Sequence, residues 1–66
     1  MRITVIIGNK KQKVKLEKPM QVLELAKLLG LVLPEYLVKI NGEFSPDTEK
    51  LKDGDVVEFI PISSSG

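Results

Sequence analysis

The residues best placed for chemistry stand at the end of the chain, where Ser63, Ser64 and Ser65 precede Gly66. Serine and glycine carry too little apolar surface to pack, so such a segment is able to thread a cleft and present the carboxylate of Gly66 to a partner. The alternative is an ordinary frayed terminus without function. In both cases we expect residues 63–66 to be mobile in the free protein.

The side chains that most enzymes depend on are missing. The 66 residues include no cysteine and no histidine. This inventory excludes disulfides, thiolate metal sites and the usual general base, together with every nucleophile that a histidine activates. The sequence therefore predicts a protein that is not an enzyme and that holds no metal and no cofactor of its own.

Size and charge narrow the class further. Sixty-six residues allow one small domain, which we place at residues 1–62 with a tail at 63–66. Ten Lys and Arg against nine Asp and Glu leave a net charge of +1, which gives no general attraction to nucleic acid or to an anionic membrane. The apolar runs fall far short of the ~20 residues that span a bilayer. No signal peptide precedes the first strand-like residues, which predicts a cytoplasmic protein, and we expect a monomer when it is free.

The first half of the chain predicts a hairpin followed by a helix. Residues 2–8 and 12–17 alternate apolar and polar positions, as strands do, on either side of a Gly-Asn turn. After Pro19, apolar residues recur at helical spacing as far as Gly30, a good C-terminal stop. The helix start is poorly marked, because only Met20 or Gln21 is available as the N-cap.

The second half predicts more strands. Residues 36–40 alternate and are followed at once by Asn41-Gly42, the strongest short hairpin signal, with a brief return strand at 43–44. A turn at 53–55 then leads into a last strand at 56–62. The sum is an α+β fold in which one helix lies on one face of a sheet. The predicted core consists of Ile3, Val5, Val14, Leu16, Val22, Leu25, Leu29, Val38, Ile40, Leu51, Val57 and Phe59.

Two charged patterns each allow a functional and a structural interpretation. Lys11, Lys13 and Lys15 share one face of the second strand, which suits either a phosphate-binding patch or protection of a sheet edge. Edge protection is favoured, because no aromatic residue interleaves them for base stacking. Asp53 and Asp55 flank Gly54, which suits a turn better than a calcium loop, since calcium needs several more oxygen ligands.

A docking surface is predicted on the face of the sheet that points away from the helix. If Val57 and Phe59 face the helix, Ile60 points away, as does Ile6 on the first strand. We expect Ile6 and Ile60 to be exposed close to the tail and to form a contact patch for a partner enzyme. The alternative is a sheet face partly covered by the protein's own loops.

The segments at 39–43 (KINGE) and 51–58 (LKDGDVVE), the order of elements and the terminal glycine resemble those of the small β-grasp sulfur carriers. This group comprises the ThiS-like and MoaD-like proteins and the archaeal ubiquitin-like modifiers. The resemblance covers the whole chain and implies a β-grasp, ubiquitin-like fold with a mixed sheet of four to five strands packed on one helix. Members end in Gly-Gly, whereas this chain ends in Ser65-Gly66.

The resemblance also implies a function. An ATP-dependent adenylating enzyme would activate the carboxylate of Gly66, and a sulfur donor would convert it to a thiocarboxylate that passes sulfur to an acceptor enzyme in thiamine, molybdopterin or related biosynthesis. ATP would be a cofactor of the partner enzyme only, and Ser64 and Ser65 would enter its cleft. Glycine suits the last position because it has no Cβ to hinder attack or entry. The alternative is a β-grasp interaction module or ubiquitin-like modifier without thiocarboxylate chemistry, which the Cβ of Ser65 favours.

Overall fold

The computed structural model describes residues 1–62. Within that range the chain forms a five-stranded sheet and one α-helix, connected by short turns and a single turn of 3-10 helix. The elements are β1 (Arg2–Ile7), β2 (Lys10–Lys15), α1 (Val22–Leu29), the 3-10 turn (Leu33–Glu35), β3 (Tyr36–Ile40), β4 (Glu43–Phe44) and β5 (Val56–Pro61).

The strands lie in the order β2-β1-β5-β3-β4. The central pair, β1 and β5, is parallel, and the other three pairs are antiparallel. The first and last strands of the described chain are therefore neighbours at the middle of the sheet, while β2 and β4 are its two edges. One helix packed on a mixed five-stranded sheet is the α+β, β-grasp fold that the sequence predicted.

The helix ends where the sequence predicted, and its start is stabilised by a contact that the sequence analysis did not identify. Gln21 is the N-cap, and a side-chain oxygen of Glu24 accepts a hydrogen bond from its backbone N–H at 3.2 Å. This contact satisfies a donor that a helix start otherwise leaves unpaired. At the other end Gly30 adopts a left-handed conformation with φ of 75°, and its N–H donates to the carbonyl of Lys27. No helix of residues 1–62 is long and apolar enough to cross a membrane.

The core fills the space between the helix and one sheet face, and ten of the twelve predicted core residues are buried. Val14 and Leu29 are only partly buried, which corrects the prediction. Val14 lies on the edge strand β2, which has a neighbour on one side only, and Leu29 is the last residue of α1. Met20 and Ala26 complete the core instead. The carbonyl of Met20 accepts a hydrogen bond from the N–H of Leu51 at 2.8 Å, which holds the segment before the helix against the core.

Candidate functional site

The described chain ends at Ile62, directly after β5. The backbone N–H of Ile62 donates to the carbonyl of Glu35 at 2.9 Å, so the pairing of β5 with the start of β3 continues to this residue. Residues 63–66 lie outside the described residues. The roles of Ser64, Ser65 and Gly66 and the mobility of this segment therefore stay predictions. The structure places Ile62, the residue before them, beside the start of β3.

The sheet face turned away from the helix is mapped by the strand register. Residues paired across neighbouring strands point to the same face. One such row crosses the whole sheet, from β2 at one edge to β4 at the other. In order it consists of Lys11, Ile6, Glu58, Lys39 and Phe44. The ammonium group of Lys39 lies 4.8 Å from the centre of the Phe44 ring, within cation–π range.

Apolar side chains cluster on this face near the end of β5. Ile60 is paired with Leu37 of β3, and Ile6 of β1 lies diagonally across from it. Ile62 continues the alternation of β5 two residues after Ile60, and it is 49% exposed. We call Ile6, Leu37, Ile60 and Ile62 the apolar patch. It borders the point from which the tail departs.

The exposure of the two predicted docking residues needs a correction. Ile6 and Ile60 are half-buried rather than exposed. Both lie on interior strands, β1 and β5, which have a neighbouring strand on each side. Leu37, which the sequence analysis did not select, is 46% exposed and presents more apolar surface. Its orientation was readable, because a residue beside the inward Val38 must point outward.

The lysines of β2 lie where edge protection requires them. Lys11, Lys13 and Lys15 are exposed on the outward face of β2, and β2 is an edge strand. Charged side chains on an edge disfavour pairing with the edge of another molecule. The structural part of that interpretation is therefore confirmed.

The two carboxylates around Gly54 are hydrogen-bonded to neighbouring groups of the chain. Asp53 accepts a hydrogen bond from the backbone N–H of Arg2 at 2.7 Å. Asp55 accepts one from the side-chain amide of Asn41 at 3.0 Å and another from the N–H of Lys52 at 2.8 Å. Both carboxylates are thus used by local structure, and residues 1–62 contain no group of three acidic, His or Cys side chains that could hold a metal ion.

A groove of about 270 Å³ runs between the 3-10 turn, β3 and the chain after β4. Its walls are mainly apolar, with Ser45 and Asp47 as polar groups. Ser45 has no histidine to activate it, because the sequence contains none. The groove therefore does not provide a histidine-activated nucleophile.

Comparison with protein families gives a match to the model of the ThiS family over residues 3–66. The matched range includes the helix, all of the sheet except Arg2, and the final glycine. It therefore joins the described domain and the tail in one family pattern.

Similar folds occur among solved structures. The crystal structure of the thiamine biosynthesis protein ThiS from Geobacter metallireducens has a TM-score of 0.68 at 28% identity, with 96% of this chain and 99% of that chain covered. A solution structure of a thiamine biosynthesis protein from the same organism gives 0.64 at 29% identity, with 96% and 87% covered. A protein–protein complex of subunits 1 and 2 of the molybdopterin-converting factor from Helicobacter pylori matches at 0.70 and 21% identity, with both chains covered in full. The last similarity is one of fold.

Proposed function

Because the chain belongs to the ThiS family and is a sulfur carrier rather than a catalyst, we propose that it carries sulfur as a thiocarboxylate on Gly66. The observation that supports this most is the family match, which extends through residue 66 on a β-grasp domain. The absence of Cys and His from the sequence agrees with it, since no side chain would take part in the chemistry.

The proposed reaction has two steps on the partner enzyme. A carboxylate oxygen of Gly66 attacks the α-phosphorus of ATP, pyrophosphate leaves, and an acyl-adenylate forms. Sulfide from a donor then attacks the acyl carbon and AMP leaves, which gives the thiocarboxylate. Transfer of that sulfur to an acceptor enzyme, with water supplying oxygen, returns the carboxylate. Ser64 and Ser65 would occupy the cleft that leads to the adenylating centre.

The apolar patch is proposed to bind the adenylating enzyme. Ile62, its last member, stands four residues before Gly66. An extended chain spans at most ~3.3–3.6 Å per residue, so Gly66 reaches no further than about 14 Å from Ile62. A partner that binds the patch can therefore place its catalytic centre within reach of Gly66. For a partner bound on the helix side, the tail would have to pass around the domain.

Thiamine biosynthesis is the pathway we propose first, because the family model and two similar structures are of thiamine biosynthesis proteins. Molybdopterin biosynthesis is the second. The Helicobacter pylori structure is a complex of two proteins, and a subunit with this fold is one of them. It supports the proposal that such a domain works by binding partner proteins.

The test is the intact mass of the chain after incubation with ATP, sulfide and the adenylating enzyme of the same source. We expect a gain equal to the exchange of one oxygen for one sulfur. Chain lacking Gly66 is the control and should not change in mass. No gain for the full chain, despite an adenylating enzyme that is active on its own substrate, would contradict the thiocarboxylate.

The second candidate is an interaction module, which Ser65 favours because it places a Cβ where the resembling carriers have glycine. This candidate is supported if the chain binds a partner through Leu37 and Ile60 while its mass and the pyrophosphate exchange stay unchanged. Ser65→Gly then shows whether Ser65 alone prevents activation of the tail.

A further inference from the structure

Charge is distributed unevenly over the outward face of the sheet. The strand register places Lys11, Lys13 and Lys15 of β2 on this face together with Lys39 of β3. Glu58 of β5 is the carboxylate that shares the row of Lys11 and Lys39. The whole chain has a net charge of only +1. The face that carries the apolar patch thus has a larger excess of positive charge than the chain as a whole.

The balancing acidic residues lie elsewhere. Residues 43–55 hold five carboxylates against two lysines. Asp53 and Asp55 among them are hydrogen-bonded to the backbone of Arg2 and Lys52. This segment runs from the β4 edge of the sheet to the start of β5 in its middle. Glu43 therefore lies at the edge opposite the lysines of β2, whereas Asp53 lies beside the first residue of β1.

Lys11, Lys13 and Lys15 of β2, which we call the basic strip, form one continuous surface with the apolar patch. Lys11 is paired directly with Ile6, and adjacent strands lie about 4.8 Å apart. A protein that covers Ile6 must therefore border or cover Lys11 as well. Removing an ammonium group from water without a compensating anion is unfavourable. The partner must supply carboxylates at this edge of its contact surface.

We propose that the partner protein of the apolar patch carries a cluster of carboxylates that faces Lys11, Lys13 and Lys15, on the β2 side of the patch only. This inference rests on the proposed function, in which an adenylating enzyme binds the patch. The pairing of charges fixes the rotation of the domain on its partner. In this orientation the C-terminal end of β5, which carries the tail, faces the adenylating centre. The charge pairing also accelerates association.

Edge protection and a partner contact use the same lysines. Charged side chains on an edge strand, lysine especially, oppose pairing with another edge, and exposed ammonium groups remain accessible to carboxylates of a partner. A nucleic acid partner is disfavoured by the face itself. Phosphates do not cover apolar side chains, and Phe44, the aromatic residue of the mapped row, lies at the far edge under Lys39.

The experiment compares Lys11→Glu with Lys27→Glu in the full chain. Both substitutions change the net charge equally at exposed positions, but Lys27 lies on α1, on the other side of the sheet. We expect Lys11→Glu to slow association with the adenylating enzyme about tenfold at low salt and much less at high salt. Lys27→Glu should associate as the wild type does. Thermal unfolding of both variants checks that the domain is intact.

The outcomes separate this inference from the function on which it rests. Wild-type chain that supports pyrophosphate exchange, with equal association rates for the two variants, overturns the acidic partner surface alone. Wild-type chain that neither exchanges nor binds overturns both. If a fluorescent single-stranded RNA binds the wild type at physiological ionic strength and fails to bind Lys11→Glu, the strip is a nucleic acid site and the proposal is wrong.

Discussion

The side chains of Asn41 and Asp55 are hydrogen-bonded to each other, with 3.0 Å between Nδ2 and Oδ1, across 14 residues of sequence. The side-chain oxygen of Asn41 accepts a bond from the N–H of Val56 at 2.9 Å, and the other carboxylate oxygen of Asp55 accepts one from the N–H of Lys52. The turn after β3 is thereby joined to the turn that starts β5. These are the two segments, 39–43 and 51–58, that carry the family resemblance, and the contact between them supplies a physical reason for their residue types.

The first prediction concerns this contact. Asn41 has a positive φ of 53°, which asparagine tolerates better than most residues. Asn41→Ala removes both side-chain hydrogen bonds and adds strain, so we expect it to lower the free energy of unfolding by about 1–3 kcal/mol. Asn41→Gly loses the same bonds but relieves the strain, and it should be less destabilising. Urea denaturation measures both, and equal losses would show that the left-handed conformation costs nothing here.

The second prediction tests the helix register. Leu25 is fully buried against the sheet, whereas Lys27 on the same helix is exposed. Leu25→Ala should lower the free energy of unfolding by about 2–5 kcal/mol, because it leaves a cavity in a small core. Lys27→Ala is the matched control and should change it by less than about 0.5 kcal/mol. Denaturant midpoints that shift equally would contradict the packing of α1.

The sequence predicted the helix, strands and turns correctly where their formation depends on a local pattern of residues. Ile3 and Val5 alternate with polar residues in β1, and Gly30 takes the left-handed conformation that its place after an apolar helix face indicates. Asn41-Gly42 forms the predicted turn into β4. In each case the residues that determine the structure lie within one turn or one strand of each other.

What the sequence did not reveal depends on neighbours in space. The parallel pairing of β1 with β5 joins opposite ends of the domain, and it is what makes Ile6 and Ile60 half-buried. Met20 lies outside the helical repeat and is buried because its backbone is bonded to Leu51. Neither of these contacts has a signature in the local sequence.

The third prediction concerns the apolar patch. Leu37→Glu should weaken binding of the adenylating enzyme by tenfold or more, because it places a charge at the centre of a desolvated contact, where a few residues contribute ~2 kcal/mol or more. Leu28→Glu is the matched control. Leu28 is 69% exposed but lies on α1, so its substitution should leave binding unchanged. Isothermal titration calorimetry provides the comparison, and equal losses for the two variants would remove the patch from the interface.

The last prediction places the activity in the carboxylate of Gly66 and in the slimness of the residues before it. Deleting Gly66, or adding one residue after it, should abolish pyrophosphate exchange with the adenylating enzyme. The melting temperature should not change, because serine and glycine carry too little apolar surface to contribute to the core. Lys27→Ala, remote from tail and patch, serves as the control and should exchange as the wild type does. Exchange by the chain without Gly66 would place the activated group elsewhere.

Ser65 then distinguishes an active tail from a disabled one. Ser65→Gly removes a Cβ from the segment that must enter the cleft, so it should keep or raise the exchange rate, whereas Ser65→Phe should block it by steric hindrance. A wild type without exchange beside an active Ser65→Gly would mean that the carrier fold is retained and its chemistry lost. If neither exchanges, and a partner still binds through Leu37 and Ile60, the chain acts as an interaction module, because binding then requires the sheet face and nothing of the terminal carboxylate.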